Sequence, residues 1–266
     1  MRSPMSTVRY VDAHIHLSDP EYADCVDEVV AEARSANVVA MVSNAMDLKT
    51  CIENMRLAEK YEGLVYAALG IHPWTVQNLA DAELQQTIEY IEKQKGHKAL
   101  VSIGEIGLDS EYDKIMDKQM KVFDAMLHTA GKLGLPAVIH SRGTTEKIIE
   151  MLPSYEVRKV LLHWFSSPIE ALPKAVGNGY FITEGPVAAY SAGIQEVVRK
   201  TPLANLMTET DGPVKYFKPP FNGKRTTPAY IPIVAKAIAD TKNTDVDAVA
   251  TSVLGNFESF FGVRLN

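Results

Sequence analysis

Cysteine is nearly absent: Cys25 and Cys51 are the only two in 266 residues, and neither has the spacing of a zinc site or a redox pair. A disulfide framework and a thiolate metal centre are excluded, and both side chains are expected to sit in helical stretches as small apolar packing groups. Unbroken apolar runs of about 18 residues, the length that crosses a bilayer, are also missing. So is an excess of positive charge, since 27 Lys and Arg face 33 Asp and Glu for a formal net charge of -6. General adhesion to nucleic acid or to an anionic membrane is thereby excluded, and any anionic ligand needs a local positive feature. No secretory pattern opens the chain, so a reduced, cytoplasmic protein without membrane contact is the expectation. Met1 to Thr7 read as a short flexible leader, and residues 8–266 as one domain.

What the chain does contain is a repeat of pattern. Short apolar runs are expected as strands at 8–13, 38–42, 64–69, 99–103, 136–139, 159–162, 180–183 and 203–208. Amphipathic stretches between them read as helices at 21–35, 49–60, 82–95, 115–132, 146–152, 170–176 and 194–200, with two more at 231–241 and 246–261. Strands this apolar on both faces, alternating with helices, imply a parallel sheet. Eight such units in about 250 residues fit a closed (β/α)8 TIM barrel, and an open doubly wound sheet is the alternative.

Ligand-type residues fall at one phase of the repeat, the carboxyl end of the strand. Asp12, His14 and His16 alternate along the first strand and so share a face. Glu105 follows the fourth strand, His140 the fifth, His163 the sixth and Asp211 the eighth. In a parallel barrel these ends open on one side, where residues distant in sequence converge. Each alone has a plain reading: His140 as a satisfied core histidine, Glu105 as an exposed loop carboxylate. Together they point to a metal site too rich for one tetrahedral ion. Two divalent cations (Zn, Mg or Mn) fit, with Glu105 bridging. His14, His16, Glu105 and Asp211 would hold the first, and Glu105, His140 and His163 the second. Such charge draws in an anionic substrate and acidifies a bound water, whose proton Asp211 can shuttle. Glu105 and Asp211 are therefore the catalytic candidates.

Asp12-x-His14-x-His16, Gly70-Ile71-His72-Pro73, Gly104-Glu105-Ile106-Gly107-Leu108-Asp109, Ile139-His140-Ser141-Arg142, His163-Trp164-Phe165-Ser166 and Glu209-Thr210-Asp211 resemble, in that order, the TatD family of metal-dependent deoxyribonucleases. Gly255-Asn256-Phe257 and Phe260-Phe261-Gly262 extend the resemblance over nearly the whole chain. It implies an amidohydrolase-type barrel, a divalent-metal centre and hydrolysis of DNA phosphodiester bonds, typically from a 3′ end. The chain departs from the family pattern at Ser110-Glu111-Tyr112-Asp113, at Lys118-Gln119-Met120, at Ser167-Pro168 and at Glu184, where a small or neutral residue is expected. These departures leave the metal ligands intact and bear on substrate identity.

Substrate-binding candidates surround that set. His72 is expected either to meet a phosphate or to hold its loop, and Arg142 either to grip a phosphate bidentately or to pair at a helix start. Asp109 reads as the acceptor that orients a ligand histidine, or as a helix cap. His97 and His128 read as structural. The loop 214–225 interleaves Lys215, Lys218, Lys224 and Arg225 with Tyr216, Phe217 and Phe221, a pattern that stacks unpaired bases and meets their backbone, or that closes the barrel with solvated charges. The functional expectation is a two-metal phosphodiesterase in which metal-bound hydroxide attacks DNA, single-stranded or at 3′ ends, with no obligate protein partner. The alternatives are an amidohydrolase-like enzyme acting on a small lactone, amide or phosphoester, and a non-catalytic barrel scaffold.

Overall fold

The computed structural model describes residues 8–166 and 168–265, so the expected leader, Ser167 and Asn266 lie outside the described residues. Eight strands, β1 (Tyr10–Ile15), β2 (Val38–Asn44), β3 (Val65–Leu69), β4 (Leu100–Asp109), β5 (Ala137–Arg142), β6 (Val160–Leu162), β7 (Phe181–Glu184) and β8 (Leu206–Thr208), pair in parallel in chain order. The ring closes where β8 meets β1. There Thr208 Oγ1 donates to the Val11 carbonyl at 2.6 Å, and the Asp211 amide donates to the His14 carbonyl at 2.9 Å. The result is a (β/α)8 barrel.

The helices are α1 (Val26–Ser35), α2 (Leu48–Lys60), α3 (Asp81–Lys93), α4 (Met116–Leu133), α5 (Thr145–Met151), α6 (Leu172–Gly177), α7 (Ala192–Lys200), α8 (Ile231–Lys242) and α9 (Val246–Phe261). Each buries one stripe at helical spacing, such as Val122, Phe123, Met126, Leu127 and Ala130 on α4. Local chemistry sets their starts: Asp47 and Thr50 form a reciprocal capping box on α2, and Ser191 accepts the Ile194 amide on α7. The first helix begins later than its sequence pattern suggests, because Pro20–Tyr22 forms a 3-10 turn and Cys25 stands just ahead of α1, half-buried. Cys51, in α2, is fully buried.

The main departure from expectation is β4, which continues past residue 103 to Asp109. Its register with β5 runs from Ile103 opposite Ala137 to Asp109 opposite Arg142. The glycines that read as a junction instead let the two backbones approach. A Cβ on Gly104 would stand 2.8 Å from Val138 Cβ, and one on Gly107 (φ 153°) would stand 2.0 Å from the His140 carbonyl oxygen. Glu105 and His140 therefore belong to neighbouring strands rather than to loops, and their positions are set by the sheet.

Candidate metal centre

The six expected ligands converge at the carboxyl end of the barrel, and all are buried. His14 Nε2, His16 Nε2, Glu105 Oε2 and Asp211 Oδ1 form one set. His14 Nε2 lies 3.2 Å from His16 Nε2, 3.3 Å from Glu105 Oε2 and 3.5 Å from Asp211 Oδ1. His16 Nε2 lies 3.2 Å from Glu105 Oε2 and 3.5 Å from Asp211 Oδ1. Ligand atoms about 2.0–2.1 Å from a tetrahedral ion are about 3.4 Å from one another, so these separations fit one ion. The other Glu105 oxygen faces a second set: His163 Nε2 at 2.8 Å, His140 Nδ1 at 3.1 Å and His72 Nε2 at 3.2 Å.

The outer contacts decide which nitrogens can offer a lone pair. His16 Nδ1 is 3.0 Å from the Asn44 carbonyl, and His163 Nδ1 is 3.3 Å from Glu209 Oε2. A neutral imidazole that donates there keeps Nε2 bare and aimed at the cluster. His140 does the converse: Nε2 meets Asp109 Oδ2 at 3.0 Å and Nδ1 is left for the cluster. His72 is different, because its Nδ1 accepts the Trp74 amide at 3.1 Å. Neutral His72 therefore carries its proton on Nε2, pointing at Glu105, so it is a hydrogen-bond donor to the cluster rather than a ligand, although it can be grouped with Glu105 and His140 by distance alone. Both readings of Asp109 are realised: Oδ2 takes His140 and Oδ1 accepts the Glu111 amide at 2.9 Å, capping the turn that follows. Trp74 Nε1 adds a second donor to Oδ2 at 2.6 Å.

The electrostatics are those of a cation site. Burial raises the cost of charge on Glu105, yet His72, His163 and His14 around it hold its carboxyl well below the usual range. Burial disfavours a charged His16, but Asp211 and Glu105 lift it to about 10. Burial alone dominates at His72, which falls to about 4. Asp109 is held down to about 2 against its burial by the His140 and Trp74 hydrogen bonds. Protons collected on the imidazoles opposite these carboxylates are what divalent ions would displace.

The outer candidates are less concentrated. Arg142, exposed at the mouth, pairs with Glu111. Arg225 reaches back to Glu28 at 3.2 Å and Glu32 at 2.9 Å, both on α1. Lys218 lies over the Tyr190 ring at 5.3 Å, and Lys224 is exposed. Of the loop aromatics only Phe217 is open to solvent; Tyr216 and Phe221 are buried, and the Tyr216 hydroxyl donates to the Thr210 carbonyl at 2.7 Å. That contact makes part of the loop a brace for the Glu209–Asp211 segment. His97 and His128 sit at the surface beside Glu59 and Asp124.

Sequence reasoning missed Glu209, the partner of His163, and Trp74, the second donor to Asp109. The signal for Glu209 was its place two residues before Asp211; Trp74 had only its place in the loop after β3. It also passed over Asp12 as a brace. Asp12 accepts the His14 amide at 3.2 Å and both the amide and hydroxyl of Thr210, and burial pushes it up to about 8. Glu184 is buried with neither carboxyl oxygen partnered among the described residues, and Glu209 Oε1 is also without a partner. Burial, reinforced by the Glu209 charge, drives Glu184 well above the carboxylate range.

Residues 11–262 match the family described as TatD related DNase. The chain is 31% identical over 259 residues to the uncharacterized metal-dependent hydrolase YabD of Bacillus subtilis, covering 95% of this chain and 99% of that protein. It is 33% identical over 255 residues to human deoxyribonuclease TATDN3, covering 91% and 90%. The crystal structure of YjjV, a TatD homolog from Escherichia coli, superposes with a TM-score of 0.89 at 28% identity over 97% of this chain and 99% of that one. With its histidines and carboxylates gathered at the mouth of the barrel, this chain belongs to the TatD family of metal-dependent hydrolases.

Proposed function

We propose that the protein is a two-metal phosphodiesterase that removes nucleotides from DNA ends, working from 3′ to 5′ on single strands. The observation that carries this reading is Glu105, whose two oxygens each face a separate set of imidazole nitrogens. His14, His16, Glu105 and Asp211 would hold one ion, and Glu105, His140 and His163 the other. The deoxyribonuclease named among the relatives supports DNA as the substrate. Divalent ions at these positions supply Lewis acidity toward the phosphoryl oxygens and make water acidic enough to act at neutral pH.

The chain's own groups do the rest. Asp211, kept anionic against its burial by His16 and the neighbouring histidines, takes the proton of the attacking water. The water oxygen bonds to phosphorus as the bond to the 3′ oxygen of the preceding nucleotide breaks, and the proton held by Asp211 passes to that oxygen, leaving a 3′ hydroxyl and releasing a nucleoside 5′-monophosphate. His72 keeps its Nε2–H on Glu105 Oε1 and so fixes that carboxylate, and Arg142, once released from Glu111, grips the phosphate from the rim. Lys218 and Lys224 meet the DNA backbone beyond, while Arg225 is held back by Glu28 and Glu32.

The test is cleavage of an end-labelled single-stranded oligonucleotide by metal-stripped protein, with Mg, Mn and Zn restored separately and Glu105→Ala as control. A metal-dependent ladder from the 3′ end, absent in the variant, is expected. Protein that holds two ions and leaves DNA intact would refute the reading in favour of a small lactone, amide or phosphoester substrate.

A further inference from the structure

The large hydrophobic side chains exposed among the described residues are Ile52 on α2, Ile233 on α8, Trp74 and Phe217. Only the last two stand in loops at the carboxyl ends of strands, and Trp74 is the one in contact with the histidine cluster. It is 42% exposed and follows His72-Pro73 directly. Water-exposed indole surface is costly, and a mobile loop residue would be free to fold it away. Trp74 is held instead. Its Nε1 proton is committed to Asp109 Oδ2 at 2.6 Å, and its amide to His72 Nδ1 at 3.1 Å.

The rings around it leave it unstacked. His72 lies 4.9 Å away at 81°, His140 5.9 Å away at 74° and Tyr112 6.4 Å away at 40°. None is parallel to the indole. The site thus offers a fixed aromatic plane beside the imidazoles that would flank a phosphate, with its orientation set before any ligand arrives. A rigid plane next to an anion site fits a ligand that carries a flat ring a short distance from a phosphate. A nucleotide has that chemistry, and a small lactone or phosphoester does not.

We propose that Trp74 is the stacking wall for the nucleobase of the nucleotide being removed, and so a specificity-determining residue of the site. This rests on the phosphodiesterase reading. Because Asp109 Oδ2 receives both the indole and His140 Nε2, substitution has two separable effects. Loss of the indole N–H disturbs His140 whatever the substrate, whereas loss of the ring face matters only when a base is present.

Two matched oligonucleotides separate them, one with a normal 3′-terminal nucleotide and one whose terminal residue is an abasic tetrahydrofuran. Metal-loaded wild type is expected to lose about tenfold in kcat/KM on the abasic substrate. Trp74→Leu should cleave both at the same reduced rate. Trp74→Phe keeps a ring and loses the N–H, so it should slow on both while retaining the preference. Independently of turnover, dAMP should quench the tryptophan fluorescence of Zn-loaded wild type and of Zn-loaded Trp164→Phe but not of Zn-loaded Trp74→Phe, and deoxyribose 5-phosphate should quench none.

Equal cleavage of the two oligonucleotides by wild type, or a preference that survives Trp74→Leu, overturns the stacking role and leaves the nuclease reading standing. Quenching by dAMP through Trp74 with neither oligonucleotide cleaved overturns the nuclease reading and keeps a nucleotide-binding wall. Absence of both defeats the two together.

Discussion

Replacing Glu184 with glutamine should stabilise the metal-free protein at neutral pH, and increasingly so as pH rises. The side chain is fully buried, and neither carboxyl oxygen has a hydrogen-bond partner among the described residues. A carboxylate in that position has lost its water and gained no donor, while Glu209 adds like charge. The fold therefore keeps Glu184 protonated at pH values where the unfolded chain, titrating near the ordinary 4.5, has released its proton. Below that pH both states are protonated and nothing is lost. Above it folding must take up a proton, and stability falls by as much as about 1.4 kcal/mol per pH unit until the folded pKa is reached. Between pH 5 and pH 8 the ceiling is about 4 kcal/mol. Glutamine has nearly the same shape and carries no charge. Urea unfolding of both proteins in chelator, at pH 5 and at pH 8, isolates the effect, since other titrating groups cancel in the difference. A gap that is small at pH 5 and widens in favour of Glu184→Gln as the pH is raised to 8, within that ceiling, is expected. A gap that does not change with pH, or a glutamine variant less stable at both, would refute the argument.

Three further outcomes follow from the geometry. Asp109→Asn leaves one uncharged acceptor oxygen for three donors and holds His140 less firmly with Nδ1 bare, so calorimetric titration with Zn or Mn should show one binding event weakened by about 10–100-fold. Gly107→Ala places a Cβ 2.0 Å from the His140 carbonyl; unfolding experiments should show a loss of about 3 kcal/mol or more, accompanied by reduced metal content. Lys218→Ala and Lys224→Ala should each weaken single-stranded DNA binding and lower the salt dependence of the affinity by about one unit of slope, with Arg225→Ala having less effect because its guanidinium is engaged by Glu28 and Glu32.

The barrel was legible because its strands are apolar on both faces, and because the residues that break the apolar pattern do so at one phase. The same phase exposed His14, His16, Glu105, His140, His163 and Asp211, which the fold gathers into one cluster. What escaped was anything decided by a single hydrogen bond or by a close backbone approach. Gly104 and Gly107 look like turn glycines in sequence, but their function is to admit β5, and only the paired strand shows it. His72 carries no mark in sequence of which nitrogen bears the proton; the Trp74 amide settles that. The cations of the loop 214–225 suggested one basic surface, yet Lys215 and Arg225 are drawn to Glu21, Glu28 and Glu32, acidic residues far away in the chain. Charge pattern along a loop says little about which charges remain free once a helix is laid beside it.

The cluster and the closure of the barrel are one structure. At the seam between β8 and β1, Asp12 takes the His14 amide and the amide and hydroxyl of Thr210. The Asp211 amide reaches the His14 carbonyl at 2.9 Å, and the His16 amide reaches the Gly212 carbonyl at 2.8 Å. The hydrogen bonds that hold the last strand against the first thus run through the residues that aim His14, His16 and Asp211. An ion held by those three side chains would cross-link the first and last strands at the junction where chain closure is most costly in entropy, since it joins the most distant parts of the sequence. Its binding energy would then act directly on folding at that seam, while the second set, on β4, on β5 and just after β6, belongs to a continuous ladder that needs no such clamp. The two halves of the cluster share Glu105 but not this duty, which makes the β1 and β8 half the one whose loss should loosen the barrel itself.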